Sequence, residues 1–314
     1  MQKWLTHTTT TQQIDVLLFD AFSALCLANT VEPLRAANEF AGRAVYAWRF
    51  LTLDGTPAVS SSGMEVRAHG KLSDCSGDIL IAMPSYDFLR HATVATSRAL
   101  RAADRRYQVL AGFDTGAWVL ATAGLLDDRR ATIHWEELSR FTETFPDVHA
   151  ERVRHVLDGN RITCSGALAA FETILDLIGH QQGQALRLEV ATLFMSPEAT
   201  GDQGTLMGRS KSVARAIAVM QANLEHPLPI GAIARQTGRT QKDLETRMRS
   251  EMGATPQTIY RRLRLIQARK LVLETDLSVA EIALRSGYED PSALTRAFRT
   301  EFGVTPRSLR SDVT

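Results

Sequence analysis

The chain is poor in cysteine and has no long apolar run. Its three cysteines, Cys26, Cys75 and Cys164, are scattered. Their spacing excludes a disulfide framework and the clustered ligands of a structural metal site, and it predicts reduced thiols in a cytoplasmic protein. No apolar stretch approaches the roughly 20 residues that span a bilayer, so no membrane role is expected. The first residues, Met1-Gln2-Lys3-Trp4-Leu5-Thr6-His7-Thr8, lack the apolar segment of a secretory signal.

Net charge is also nearly absent, at +1 over 314 residues. The balance conceals an asymmetry. Residues 209–314 hold 18 Lys and Arg against 11 Asp and Glu, a net +7, whereas the first 208 residues hold 18 against 24, a net −6. A basic end on an acidic body is the electrostatic footprint of a segment that binds a polyanion. The length allows two domains, each large enough for its own core.

The first part alternates short apolar runs with amphipathic stretches. Ile14–Phe19, Arg49–Leu53, Ile79–Met83 and Tyr107–Ala111 suit buried parallel strands. Helical patterns lie near Val31–Ala41, Tyr86–Asp104, Ala117–Leu125 and Ala167–Ile178, and a further helix, Gln184–Phe194, is expected to close the domain. This alternation predicts an α/β layered domain with a mostly parallel sheet. Composition then changes at Ser196-Pro197-Glu198-Ala199-Thr200-Gly201-Asp202-Gln203-Gly204, which is rich in turn residues. The expected organisation is a sensing domain over 1–196, a linker over 197–210 and an all-α domain over 211–314.

The all-α domain carries a repeat. Ala232-Ile233-Ala234-Arg235-Gln236-Thr237-Gly238 returns as Glu281-Ile282-Ala283-Leu284-Arg285-Ser286-Gly287, and each copy leads through a second amphipathic segment to Gly-x-Thr-Pro. A short helix, a Gly turn and a longer helix make a helix-turn-helix. In the first unit Thr240 is the expected N-cap of the helix Gln241–Met252, with Leu244 and Met248 facing inward. Gln241, Lys242, Glu245 and Arg249 form the outward set. In the second unit Ser292 or Asp290 starts the recognition helix and Leu294 and Phe298 pack inward. Ala293, Thr295, Arg296 and Arg299 face out. Arg and Gln suit paired hydrogen bonds to base edges, and Lys suits phosphate. A long helix over Pro256–Thr275 joins the two units and sets the recognition helices about 34 Å apart, one duplex turn.

From Ala214 to Arg310 the sequence resembles the AraC/XylS family of transcription regulators. The resemblance is carried most specifically by Ser278–Tyr288, Ser292, Leu294, Arg296-Ala297-Phe298-Arg299 and Phe302-Gly303-Val304-Thr305-Pro306. It implies binding to double-stranded promoter half-sites, contact with RNA polymerase, and a homodimer. The first unit departs from the family pattern at Thr246-Arg247, where a basic and then an apolar residue are usual. A charge beside the packed face leaves the rotation of that helix open.

In the first domain, Leu110-Ala111-Gly112-Phe113-Asp114-Thr115-Gly116-Ala117-Trp118 reads as a strand, a sharp turn and a helix, the geometry of a nucleophile elbow. With Val31-Glu32-Pro33, Gly124-Leu125-Leu126, Arg130–Trp135 and Ile162–Ala167, this region resembles the PfpI-like branch of the class I glutamine amidotransferase-like fold, a flavodoxin-like α/β sandwich. In enzymes of that fold the elbow carries Cys, with a nearby His and a Glu on the first helix. The matching positions here hold Asp114, His134 and Glu32. A carboxylate at the elbow is a far weaker nucleophile than a thiolate. The expectation is therefore a retained fold with lost chemistry, without catalytic residues, metal or cofactor.

A retained pocket is expected to bind a small-molecule effector through Glu32, Asp114, Thr115, Trp118, His134 and Trp135. Carboxylates beside aromatic surface suit a cation such as a quaternary ammonium or an amino acid. The Asp-Thr-Gly elbow also resembles that of regulators of glycine betaine, carnitine and arginine catabolism. Three alternatives stand beside these roles: Asp114 as a helix cap, His134 as a structural histidine, and Trp118 as core. Tyr86, in the turn Pro84-Ser85-Tyr86-Asp87, stands either in the pocket lining or on its rim. The function read from the sequence is a metabolite-controlled transcription regulator, most simply an activator. Its rivals are a hydrolase or amidotransferase with a DNA-binding tail, and an architectural DNA binder.

Overall fold

A computed structural model describes residues 10–194 and 211–311 of the chain. The expected linker, 197–210, lies outside the described residues. Two compact units divide at Arg187 and Leu188.

In the first unit, β1 (Gln12–Leu18), α1 (Ala24–Ala41) and β2 (Tyr46–Thr52) lead through two minor strands, β3 (Ala58–Val59) and β4 (Glu65–Val66), to β5 (Gly70–Lys71). There follow β6 (Gly77–Met83), α2 (Val94–Ala103), β7 (Tyr107–Phe113), α3 (Gly116–Thr122), β8 (Arg130–Ala131), α4 (Leu138–Thr144) and β9 (His149–Ala150). The unit ends with β10 (His155–Asp158), β11 (Arg161–Cys164), α5 (Ala167–Gln182) and the start of α6 (Gln184–Phe194).

The main sheet has seven strands in the order β10-β11-β7-β6-β1-β2-β5. Every pairing in it is parallel except β10 with β11. Its five longer parallel strands follow the flavodoxin-like order, which reverses between β1 and β6 and opens a crevice at their carboxyl ends. The central strands β6 and β7 are nearly continuous apolar runs because both sheet faces are covered there. Leu17, Leu51, Leu80 and Leu110 join Trp118 and Phe141 in one buried cluster. Alternate residues Val16, Ile79, Ile81 and Val109, also buried, point to the other face, and α1 packs against α5.

Two of the expected helices begin elsewhere. The helix predicted over Tyr86–Asp104 is a 3-10 turn, Phe88–His91, followed by α2, because Thr93 caps a new start by accepting from the Thr96 N–H. The first helix begins at Ala24, seven residues earlier than its apolar pattern suggested, with Ser23 as its cap.

The second unit is helical: α7 (Lys211–Gln221), α8 (Ile230–Gln236), α9 (Gln241–Met252), α10 (Pro256–Glu274), α11 (Val279–Arg285), α12 (Pro291–Phe302) and α13 (Pro306–Ser311). The two helix-turn-helix units are α8–α9 and α11–α12. Each has a small core, one around Leu244 and Met248 and the other around Leu294 and Phe298. Helix α6, expected to close the first domain, places Leu188 in the first of these cores beside Val213 and Met220. The rotation of α9 follows from burial. Leu244, Met248 and Met252 are sequestered one turn apart, and Arg247 reaches back to Asp243 at 3.1 Å, so its charge stays off the packed face. Helix α10, at about 1.5 Å per residue, is about 28 Å long. Among the described residues no helix is long and apolar enough to cross a membrane.

Candidate functional site

The elbow connects β7 to α3. Asp114 sits at its apex with a left-handed φ of 61°. So sharp a turn needs bare backbone on both sides. A Cβ on Gly112 would lie 2.6 Å from the Ala117 nitrogen, and one on Gly116 would lie 2.2 Å from the Ala82 carbonyl oxygen. Asp114 is held by the tertiary fold rather than by its own preference, because a non-glycine residue in this conformation is strained.

Loops from four elements converge on the apex. The Ser23 N–H donates to Ser85 Oγ at 3.0 Å, tying the loop after β1 to the loop after β6. Thr115 Oγ1 donates to the carbonyls of Pro84 and Ser85 at 3.0 and 3.1 Å. The His134 N–H donates to the Asp114 carbonyl at 3.0 Å. These bonds enclose a cavity of about 220 Å³ at the carboxyl end of the sheet, lined by Asp114, Thr115, His134, Ser85, Tyr86, Glu136 and their neighbours. Burial pushes the Asp114 carboxyl above its ordinary value, opposed by a hydrogen bond from Ser85 and the nearby His134 ring.

The structure thus brings together Asp114, Thr115 and His134 from the expected ligand set, and Tyr86 joins them. Three others lie elsewhere. Trp118 is core: it packs among Phe88, Phe141 and Phe145, with the Arg140 guanidinium over its ring. Helix periodicity turns it away from the crevice toward α4. Trp135 is 64% exposed and outside the lining. Glu32 is half-exposed on α1 and pairs with Arg35 at 2.7 Å. The residue that α1 buries toward the elbow is Cys26, whose thiol is pushed up by burial and by the neighbouring Cys164 and Asp114. Sequence reasoning missed Ser85, Asp87, Phe88, Glu136 and Glu137. The adjacent Glu136-Glu137 pair, two residues past His134, was the available signal, but acidic loop residues usually read as solvated.

In the second unit the two recognition helices are built alike. Thr240 caps α9 by accepting from the Asp243 N–H. Asp290, rather than Ser292, caps α12 by accepting from the N–H groups of Ser292 and Ala293. Each helix ends on a left-handed Gly, Gly253 or Gly303. Opposite the buried residues, Gln241, Lys242 and Arg249 are exposed on α9, and Ser292, Arg296 and Arg299 on α12. Glu245 is partly covered and accepts from Gln241 Nε2 at 3.0 Å. Thr295 is partly covered too, its hydroxyl donating to the Pro291 carbonyl, and Ala293 lies beside the cap. Two exposed basic surfaces on capped helices, each standing on its own core, are what groove insertion requires.

Comparison with known proteins agrees with this geometry. Residues 233–312 match a family described as a helix-turn-helix domain. The chain is 36% identical over 304 residues to the HTH-type transcriptional regulator CdhR of Pseudomonas aeruginosa, covering 94% of this chain and 90% of that one. Among solved structures, an AraC family transcriptional regulator from Pseudomonas putida superposes with a TM-score of 0.52 at 24% identity, over 59% of this chain and all of that one. A ThiJ/PfpI family protein from Pseudomonas syringae superposes with a TM-score of 0.51 at 17% identity, over 80% and 91% of the two chains. The chain therefore belongs to the AraC family of DNA-binding transcription regulators and carries a DJ-1/PfpI-like N-terminal fold.

Proposed function

We propose that the protein is a transcription activator switched by a small cationic metabolite, a quaternary amine or an amino acid, bound in the elbow cavity. The observation that carries this reading is the charge of the lining. Asp87, Asp114, Glu136 and Glu137 contribute four carboxylates, and no Lys or Arg is among the lining residues. Tyr86 and Phe88 add aromatic surface, which attracts a cation further. Burial raises the Asp114 carboxyl, and a bound cation stabilises its ionised form. The volume suits a molecule of metabolite size.

Amide chemistry has no support in these residues. The elbow position is a carboxylate. Cys26 and Cys164 are buried thiols, the latter pushed up to about 12, so neither is a thiolate near neutral pH. A sensing domain over 1–196, a linker over 197–210 and a DNA-binding domain over 211–314 remain our organisation of the chain. The effector must bind two conformations of the protein with different affinity to change transcription. A cytoplasmic homodimer on paired half-sites, in contact with RNA polymerase, completes the proposal.

The test is calorimetry and thermal melting of the full chain with glycine betaine, carnitine and arginine, each beside an uncharged isostere. Cations are expected to bind and raise the melting temperature. Equal stabilisation by the neutral isosteres, or none by any cation, would refute the assignment.

A further inference from the structure

The second unit contains a larger cavity, about 600 Å³, lined by none of the residues assigned above to base reading. It opens between the start of α8, the N-terminal half of α10, and Tyr288 in the turn of the second helix-turn-helix. At this point the two helix-turn-helix units meet. Gly287, with φ of 71°, packs so closely that an added Cβ would lie 2.5 Å from the Leu224 carbonyl oxygen and 2.6 Å from Pro227.

The lining holds two cations, Arg261 and Arg264, and no carboxylate. Arg264 is anchored. Its guanidinium donates to the carbonyls of Ser286 at 2.8 Å and Gly287 at 2.6 Å and lies 4.3 Å over the Tyr288 ring. The Arg261 side chain is exposed and has no hydrogen-bond or ion-pair partner among the described residues. The Tyr288 hydroxyl is buried without a hydrogen-bond partner, an arrangement that costs stability unless a ligand supplies the bond. The amino end of α10, capped by Thr255, adds positive potential to the same opening. One fixed guanidinium, one free guanidinium and an unpaired phenol, with no carboxylate in the lining although Glu301 acts on Tyr288 from behind, form the recognition set for a phosphate-type oxyanion.

We propose that this cavity is an anion site that seats a backbone phosphate of the operator, between the grooves entered by α9 and α12. In helix-turn-helix complexes the first helix crosses the DNA backbone. One wall of the cavity is the start of such a helix and another is the turn of its sister unit, so the strand running between the two grooves meets Arg261 and Tyr288. The inference rests on the DNA-binding role of this unit. A free phosphorylated small molecule shares the chemistry, and the experiment separates the two.

Arg261→Ala, Arg261→Lys and Tyr288→Phe are made in the full chain, and affinity for operator and random duplexes is measured across a salt series. Arg261→Ala is expected to weaken both duplexes by the same factor, about three- to tenfold. The slope of log K against log salt should shrink by about 1, with the specificity ratio unchanged. Arg261→Lys restores the slope, and Tyr288→Phe weakens both duplexes by a smaller common factor. Unchanged duplex affinities and slope in Arg261→Ala overturn the proposal, as does a loss confined to the operator. If inorganic phosphate or pyrophosphate raises the melting temperature of the wild type but not of Arg261→Ala, while duplex affinity is unaltered, the site belongs to a soluble anion and the operator assignment fails. Random-duplex binding retained by every variant keeps the DNA-binding role separate from the fate of this cavity.

Discussion

The main-chain N–H of His134 donates to the carbonyl oxygen of Asp114 at 3.0 Å. The bond joins the loop before α4 to the elbow and aligns both side chains on one small cavity. It holds a carboxylate at the apex of a sharp strand-to-helix turn, beside an imidazole, in surroundings made acidic by Glu136 and Glu137.

Asp114→Asn should abolish the response to effector while leaving basal operator affinity near that of the wild type. In the wild type the carboxyl is held above its ordinary value, chiefly by burial. The ionised form that attracts a cation is therefore lost sooner on acidification than for an ordinary aspartate, and effector affinity should fall as pH is lowered. In Asp114→Asn that pH dependence should disappear. Calorimetry at several pH values checks both statements. A normal induction curve for the variant would mark Asp114 as a structural turn residue only.

Arg296→Ala should weaken operator binding by about 1–3 kcal/mol and relax preference at one base position, the pattern of a lost base-edge contact. Its side chain is 74% exposed and makes only a long ion pair, 3.9 Å, with the exposed Asp290. It is therefore free to reach a groove. Binding to a set of single-position operator variants reads the outcome. An unchanged isotherm would remove Arg296 from the reading surface.

Glu189 should make the second unit less stable as pH rises. Burial outweighs the attraction of Arg269, 3.6 Å away, and pushes the carboxyl up to about 7. The unfolded chain titrates near 4.3. Between these values the folded unit binds the extra proton. Its contribution is fully present below the unfolded value and lost as pH climbs through about 7. Melting temperatures from pH 5 to pH 8 should decline more steeply for the wild type than for Glu189→Gln. Parallel curves would show that the carboxyl stays ionised throughout.

Gly287→Ala should destabilise the second unit by more than about 1 kcal/mol, because it combines a left-handed backbone with a contact that leaves no room for a methyl group. Gly238→Ala, at the equivalent turn, has the same backbone sign but nothing within 4 Å of an added Cβ. It should cost only the backbone strain. Denaturant unfolding of the two variants distinguishes them, and equal losses would contradict the packing difference.

The sequence by itself determined the classes of structure. Alternating apolar runs specified the α/β unit because buried parallel strands need apolar residues on both faces. The repeat specified paired helix-turn-helix units because each needs a Gly turn, a capped second helix and two buried residues four apart, such as Leu294 and Phe298. Asp114 was visible at the elbow because glycines at 112 and 116 announce a turn too tight for side chains. The tertiary structure decided which residues share the cavity. Trp118 went to the core and Glu32 to the surface through the rotation of their helices, which a local pattern leaves free by a fraction of a turn. Ser85, Asp87 and Glu136 arrived from loops whose positions depend on strand order, since only the packing of β1, β6 and β7 brings their carboxyl ends together. The same holds for Arg261 and Tyr288. They are 27 positions apart in sequence and become one site only because Gly287 lets two helix-turn-helix units close on each other.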